Sequence, residues 1–268
     1  MLKKFNLKNK EALITGAGGL LGYEHAHALL EVGAKVFLAD INLKSLKNSY
    51  EKLIKIFPKN KVFKIKIDVT SEKSVLKALR FFKKKKFKID ILINNAAFNP
   101  ANKNFNSFSL EKYSLKNWKR EIDVTLTGAF ICSKIFGNEM SKNKTGVILN
   151  IASDLSVIAP DHRIYNKGKK IKFVKPVTYS VGKTGLVGLT RYLSTYWSDS
   201  NVRCNAISPG GVMNNHKSSF TKKLKKLIPL GRMANKDEYR SAIQFLCSDA
   251  SSYMTGQNLV IDGGRSVW

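Results

Sequence analysis

"EALITGAGGLLGYEHAHALLEVGAKVFLAD", residues 11–40, decides how the rest of the chain is read. It opens on a short apolar run, "EALITG" (11–16), and closes on another, "KVFLAD" (35–40). Between them "LLGYEHAHALLEVG" carries apolar residues at helical spacing and ends at Gly33, a residue suited to stopping a helix. Strand, Gly-rich turn, helix and strand predict two parallel strands joined by a crossover helix. The glycines of "TGAGGLLG" (15–22) let backbone approach a pyrophosphate, and the free N–H groups at the helix start favour its charge. Gly16, Gly19, Leu20, Leu21 and Gly22 are therefore candidate nucleotide contacts. A tight strand-to-helix turn without a ligand is the alternative reading of the same residues.

The alternation continues to the end of the chain. "KVFKIKID" (61–68), "IDILINN" (89–95), "GVILNIAS" (146–153), "VRCNAIS" (202–208) and "NLVIDG" (258–263) read as further strands, and "SEKSVLKALRFFKK" (71–84) as a helix opened by the capping residue Ser71. The fold expected is α/β: a doubly wound, seven-stranded parallel sheet of Rossmann type with helices on both faces. No repeat, linker or composition break interrupts it, so a single domain over residues 1–268 is expected. Two stretches exceed ordinary connections, an insertion at about 154–177 and a loop at about 209–231. Both leave strand carboxyl ends, where open parallel sheets bind ligands, so both are pocket or lid candidates, with disordered insertion as the alternative.

The formal charge of +28 raises nucleic acid as a partner, but of 47 basic residues only 8 are Arg, the residue favoured for bidentate phosphate and base recognition. Lys, Asn, Ile and Phe are all abundant, as in proteins of AT-rich genomes, and "FFKKKKFKID" (81–90) reads as a solvated helix end. No nucleic-acid partner is expected. Cys132, Cys204 and Cys247 stand singly, which predicts neither a disulfide framework nor a metal site. No run approaches the roughly 20 apolar residues of a membrane span, and the opening residues lack a signal-peptide core, so no membrane association and a cytoplasmic location are expected.

Asp40 ends the second strand, where a carboxylate can bond both hydroxyls of an adenosine ribose and repel a 2′-phosphate. NAD is thus expected as cofactor, with NADP disfavoured. Asp40 could instead cap the following helix, a task open equally to Asn42. Asp68, in "IDVT", could meet the adenine edge.

"TGAGGLLG" at 15, "ADIN" at 39, "DVT" at 68, "NNAA" at 94, "NIAS" at 150, "YSVGK" at 179, "SPGG" at 208 and "DGG" at 262 follow one another at strand ends. In that order they resemble the short-chain dehydrogenase/reductase family over nearly the whole chain. The resemblance implies a hydride transfer between nicotinamide and an alcohol or ketone, with Tyr179 as general acid/base, Lys183 lowering its pKa and binding the nicotinamide ribose, and Ser153 holding the substrate oxygen. It implies cofactor contacts from Asp68, Val69, Asn95, Ala96, Pro209, Gly210 and Val212, and assembly as a homo-oligomer, dimer or tetramer. Three positions depart from the family pattern. Leu20 replaces a loop glycine, Thr125 replaces an Asn that holds a relay water, and Asn214 replaces a Thr that meets the nicotinamide carboxamide. Leu20 and Thr125 motivate a rival reading, a non-catalytic nucleotide sensor on the same fold.

A second Tyr/Lys pair, Tyr165 and Lys169, lies 12 residues after Ser153, at the usual family separation, whereas Tyr179 lies 26 after it. The segment after Tyr165, "NKGKKIKFVKPVT", contains Gly168, β-branched residues and Pro176, which forbid a stable helix. After Tyr179, Leu186, Leu189, Leu193 and Tyr196 or Trp197 recur at helical spacing, and Thr178 suits the helix N-cap. The chemistry is therefore expected at Tyr179, with Tyr165 in an insertion. That insertion carries Arg163, Lys167, Lys169, Lys170, Lys172 and Lys175, and the later loop Lys217, Lys222, Lys223, Lys225 and Lys226, with Phe220, Leu224, Leu227 and Ile228 on one face. An anionic small-molecule substrate contacting Ser153, Tyr179 and Arg163 is expected, such as a sugar phosphate, nucleotide sugar or 3-oxoacyl carrier; the alternative is that these lysines only share the chain-wide bias.

Overall fold

The computed structural model describes residues 2–98, 109–165 and 174–268. Seven strands, β1 (Glu11–Thr15), β2 (Lys35–Asp40), β3 (Val62–Lys66), β4 (Ile91–Asn94), β5 (Gly146–Ile151), β6 (Val202–Pro209) and β7 (Asn258–Ile261), form one sheet in the order β3-β2-β1-β4-β5-β6-β7. Every pairing is parallel. The expected fold class is what the chain adopts. Winding reverses between β1 and β4, and beyond their carboxyl ends lies the crevice that such a reversal leaves for a ligand.

Successive strand residues point to opposite faces, so each central strand feeds two cores. Ala12, Ile14, Val36 and Leu38 pack with α1 (Leu20–Glu31), α2 (Leu43–Leu53) and α8 (Arg240–Cys247). Leu13, Phe37 and Ala39 pack on the other face with α3 (Glu72–Lys84) and α5 (Gly128–Lys142). At the end of α6 (Val177–Tyr196) Trp197 is buried and Tyr196 is exposed, which resolves that pair: the Trp197 ring lies where a Cβ on Gly137 would be, 2.3 Å from the nearest ring atom.

Local signals hold at three helix ends. Gly33 has φ +96°, Ser71 accepts from Ser74 N at the head of α3, and Asn42, not Asp40, caps α2 through Lys44 N and Ser45 N. One expected cap is corrected. Thr178 is the second residue of α6, whose cap position falls to Pro176, and its hydroxyl donates to the buried carboxylate of Glu121 in α4 (Leu115–Ile122) instead. The structure also shows a π-helical turn, Asp123–Thr127, between α4 and α5.

The two long connections pack on each other. α7 (Ser218–Lys225) brings Leu224, with Ile228 and Met233, against Ile164 of the insertion, and Tyr165, Phe220 and Leu227 border the cluster. The Tyr165 and Phe220 rings lie 5.3 Å apart, so Tyr165 belongs to the packing of this cover. Lys167, Lys169, Lys170 and Lys172 lie outside the described residues. No helix among the described residues is long and apolar enough to cross a membrane.

Candidate active site

The turn after β1 is built so that backbone faces a cleft of about 540 Å³. Gly16 has φ +64°, and a Cβ on Gly22 would sit 2.4 Å from the Gly16 carbonyl, so the turn closes too tightly for side chains at either position. Leu20 is tolerated because its side chain is partly exposed at the first residue of α1. Gly19 at the N-cap supplies no side-chain acceptor, which leaves the N–H groups of Leu20, Leu21 and Gly22 without a protein partner among the described residues. They line the cleft, as a pyrophosphate site requires. Thr15 and Asn95 brace this turn. The Thr15 hydroxyl accepts from Asn95 N and Ala96 N, each at 3.1 Å, and Asn95 Nδ2 donates to the carbonyls of Thr15 and Gly16, each at 3.0 Å.

Asp40 stands at the adenosine end. Its carboxylate accepts from Gly18 N at 3.0 Å and Asn42 N at 2.9 Å, which fixes it facing the cleft with lone pairs to spare. Asp68 and Val69 border the same end. These residues fit a dinucleotide bound with its adenosine toward β2 and its pyrophosphate over α1.

At the other end α6 presents Tyr179 and, one turn later, Lys183. The Tyr179 hydroxyl donates to Ser153 Oγ at 3.4 Å, and the Lys183 ammonium donates to the Ile151 carbonyl at the end of β5. α6 is held to the sheet by buried amides: Asn94 Nδ2 donates to Asn150 Oδ1 at 2.8 Å and Asn150 Nδ2 to Thr190 Oγ1 at 2.8 Å. Burial raises the Tyr179 pKa, partly offset by its hydrogen bond to Ser153. Burial, then the charge of Lys175, lowers Lys183 to about 7. Thr125 is buried in the π turn, where its hydroxyl accepts from Phe98 N at 3.3 Å. It lies against α6 but does not line the cleft: a Cβ on Gly182 would be 3.1 Å from Thr125 Cγ2.

Gly16, Gly19, Leu20, Leu21, Gly22, Asp40, Asp68, Val69, Asn95, Ala96, Ser153, Tyr179, Lys183, Pro209, Gly210, Val212 and Asn214 all line this one cleft. Arg163 does not: its guanidinium is 90% exposed and is paired with Asp161 at 2.9 Å. The substrate contact expected of Arg163 is thereby corrected, because its short-range acidic neighbour holds it outward.

Three cleft features escaped the sequence. Asp154 Oδ1 accepts from Ser153 Oγ at 2.9 Å while Oδ2 pairs with Arg265 at 2.6 Å, both side chains being buried. Lys175 places its ammonium 3.6 Å from the centroid of the Tyr179 ring. His216 borders the substrate end of the cleft and accepts from Asn214 N through Nδ1 at 3.2 Å.

A family model described as Enoyl-(Acyl carrier protein) reductase matches residues 16–266. The chain belongs to the short-chain dehydrogenase/reductase family. It is 32% identical to an NAD-dependent glycerol dehydrogenase of Listeria innocua, with 99% of this chain and 97% of that protein aligned. It is also 32% identical to a D-threitol dehydrogenase of Mycolicibacterium smegmatis, over 98% of this chain and 95% of that one. Among solved structures, a gluconate 5-dehydrogenase from Burkholderia cenocepacia in complex with NADP and tartrate superposes with a TM-score of 0.86 at 26% identity, covering 100% of this chain and 99% of that one. As a member of this family the protein is an NAD(P)-dependent oxidoreductase of alcohols and ketones.

Proposed function

We propose that the protein uses NAD to oxidise a secondary CH–OH group of a small polyhydroxylated compound, or NADH to reduce the corresponding ketone. The observation that carries this reading is the convergence of Ser153, Tyr179 and Lys183 at one end of a cleft whose other end is closed by Asp40. The nicotinamide, when bound, supplies the hydride acceptor or donor. Ser153 Oγ would hold the substrate oxygen and Tyr179 would exchange the proton of that oxygen at its hydroxyl. A phenol titrates near pH 10 and burial raises Tyr179 further, so a cationic neighbour is needed; Lys183, one turn away, would supply that charge while protonated. Asn95 and Ala96 would border the cofactor, Pro209, Gly210, Val212 and Asn214 would pass the nicotinamide, and Thr125 would fix the helix turn behind Tyr179.

Asp40 supports NAD, since a 2′-phosphate would meet its carboxylate. The Listeria relative is named for NAD and the Burkholderia enzyme was crystallised with NADP, so relatives divide on this point. Glycerol, threitol and gluconate, the compounds that name the three relatives, support a polyhydroxylated substrate. The exposed Phe130 of α5 and Val181, Tyr192 and Tyr196 of α6 support assembly into a homo-oligomer, and three buried free cysteines suit a reducing cytoplasm.

The test is Tyr179→Phe. With NAD and a polyol panel, kcat is expected to fall by at least about 100-fold, the usual scale of losing a positioned acid/base, while NAD affinity stays within a few-fold. A parent protein that binds NAD yet turns over no alcohol or ketone would favour a nucleotide sensor, and a preference for NADP would overturn the role given to Asp40.

A further inference from the structure

Resting on that reading, the chemistry around Lys175 says more about the substrate. Lys175 is partly buried at the substrate end of the cleft, with its ammonium over the ring of Tyr179. No carboxylate among the described residues pairs with it. The nearest candidate, Asp154, is engaged elsewhere: Ser153 Oγ and Leu155 N occupy Oδ1 at 2.9 and 2.8 Å, and Arg265 pairs with Oδ2, so this carboxylate acts on Lys175 only as a charge at a distance. The other titratable groups nearby, Lys183 and His216, offer Lys175 no negative charge. Lys183 is lowered to about 7 by burial and by Lys175, and His216 is held below its ordinary pKa by burial and by Lys175. Burial draws Lys175 down to about 8, partly offset by the charge of Asp154.

An ammonium held in a cleft without a carboxylate in contact is costly unless something that binds there supplies one. His216 points to what that is. Its Nδ1 accepts from Asn214 N, so in the neutral ring Nε2 carries the proton and is a donor with no partner among the described residues, while the ring is fixed by stacking on Phe220 at 5.4 Å between centroids. Two donors, one cationic and one neutral, border the space in front of Tyr179, and the one acid nearby is already taken.

We propose that Lys175 and the Nε2–H of His216 receive a carboxylate or phosphate carried by the substrate a few bonds from the carbon that is oxidised. The expected substrate class is therefore a hydroxy acid or a phosphorylated polyol. Lys175 serves as a specificity residue, and its contact with the Tyr179 ring couples the anion to the reacting oxygen.

Steady-state kinetics with NAD on a matched set, a free polyol, its aldonate and its phosphomonoester, tests this. The parent should favour one anion over the free polyol by at least about 10-fold in kcat/KM, the scale of one charge-assisted contact, and the better anion identifies carboxylate or phosphate. Lys175→Met should shrink that preference by about 10- to 100-fold through KM, and Lys175→Arg should restore most of it. Equal or better use of the free polyol by the parent overturns the proposal. So does a Lys175→Met variant whose kcat falls equally for all three with KM unmoved, since Lys175 would then serve Tyr179 alone. Calorimetric titration of tartrate and of inorganic phosphate into the protein–NAD complex gives a readout independent of turnover. NAD binding without Lys175-dependent anion binding sinks the anion site and leaves the oxidoreductase reading intact, whereas failure to bind NAD removes both.

Discussion

Lys183 is held among buried groups before any nucleotide arrives, and this makes its energetics measurable. Burial lowers its pKa from 10.5 to about 7, so between about pH 7 and 10.5 the unfolded chain binds more protons at this position than the folded one. Stability contributed by this site therefore rises with pH across that window, and the desolvation cost is fully present below it. The melting-temperature difference between Lys183→Met and the parent, both free of cofactor, should thus shift in the parent's favour as pH rises from 7 to 10; a difference independent of pH would show that Lys183 is not desolvated. At this scale the sequence was informative where a side chain's role depends on near neighbours. Tyr179 and Lys183 could be chosen over Tyr165 and Lys169 because helical periodicity follows one pair and Gly168 and Pro176 follow the other. Lys175 could not be distinguished among 39 lysines, since its distinction is a ring reached only after α6 has docked. Arg163 misled because its nearest acid, Asp161, lies two residues away and turns it outward.

Among the elements, α6 carries the residues proposed for the proton chemistry, and its entry is fixed by α4. Tyr113 and Thr178 both donate to the buried Glu121 carboxylate, and Thr178 immediately precedes Tyr179. Thr178→Val should cost about 1–3 kcal/mol in urea denaturation, the range for unmaking a buried bond to a charged group. It should also lower kcat several-fold with little change in NAD affinity, and Thr178→Ser should recover both. Loss of NAD affinity instead would place the effect at the phosphate loop. Strands and the helix ends at Gly33 and Ser71 were legible because apolar runs and capping residues act locally, while the choice between Asp40 and Asn42 needed the structure. The entry of α6 was misjudged since Thr178 has the chemistry of a cap, but its hydroxyl meets a partner 57 residues away. The π turn at Asp123–Thr127 has no composition of its own, and Thr125 within it could be recognised only as a departure from the family pattern.

For the whole molecule, the ion pair between Asp154 and Arg265 joins positions 111 residues apart and secures the segment around Arg265 beside Ser153. Arg265→Met leaves a buried carboxylate uncompensated and should destabilise by about 3–5 kcal/mol, whereas Asp154→Leu with Arg265→Met should recover much of the loss. Denaturant midpoints of the three variants check this; additive losses would mean that the two groups do not act as a pair. Sheet order and both core faces could be read from strand–helix alternation, but no pattern in the sequence announced this long-range pair. The strand order also bears on how the protein comes into being. Each strand adds beside its predecessor except at one seam, where β4 joins β1 with Ile91 against Ala12. The glycine turn follows β1 and its brace, Asn95, follows β4, so the cleft straddles that seam. A chain that stops before β4 lacks the Asn95 brace of its glycine turn, and one that stops before α6 lacks Tyr179 and Lys183. The two ends of the cleft thus depend on segments far apart in the chain, the braced glycine turn on β1 and β4 and the Tyr179 end on α6, and they meet only once the sheet has been extended past that seam.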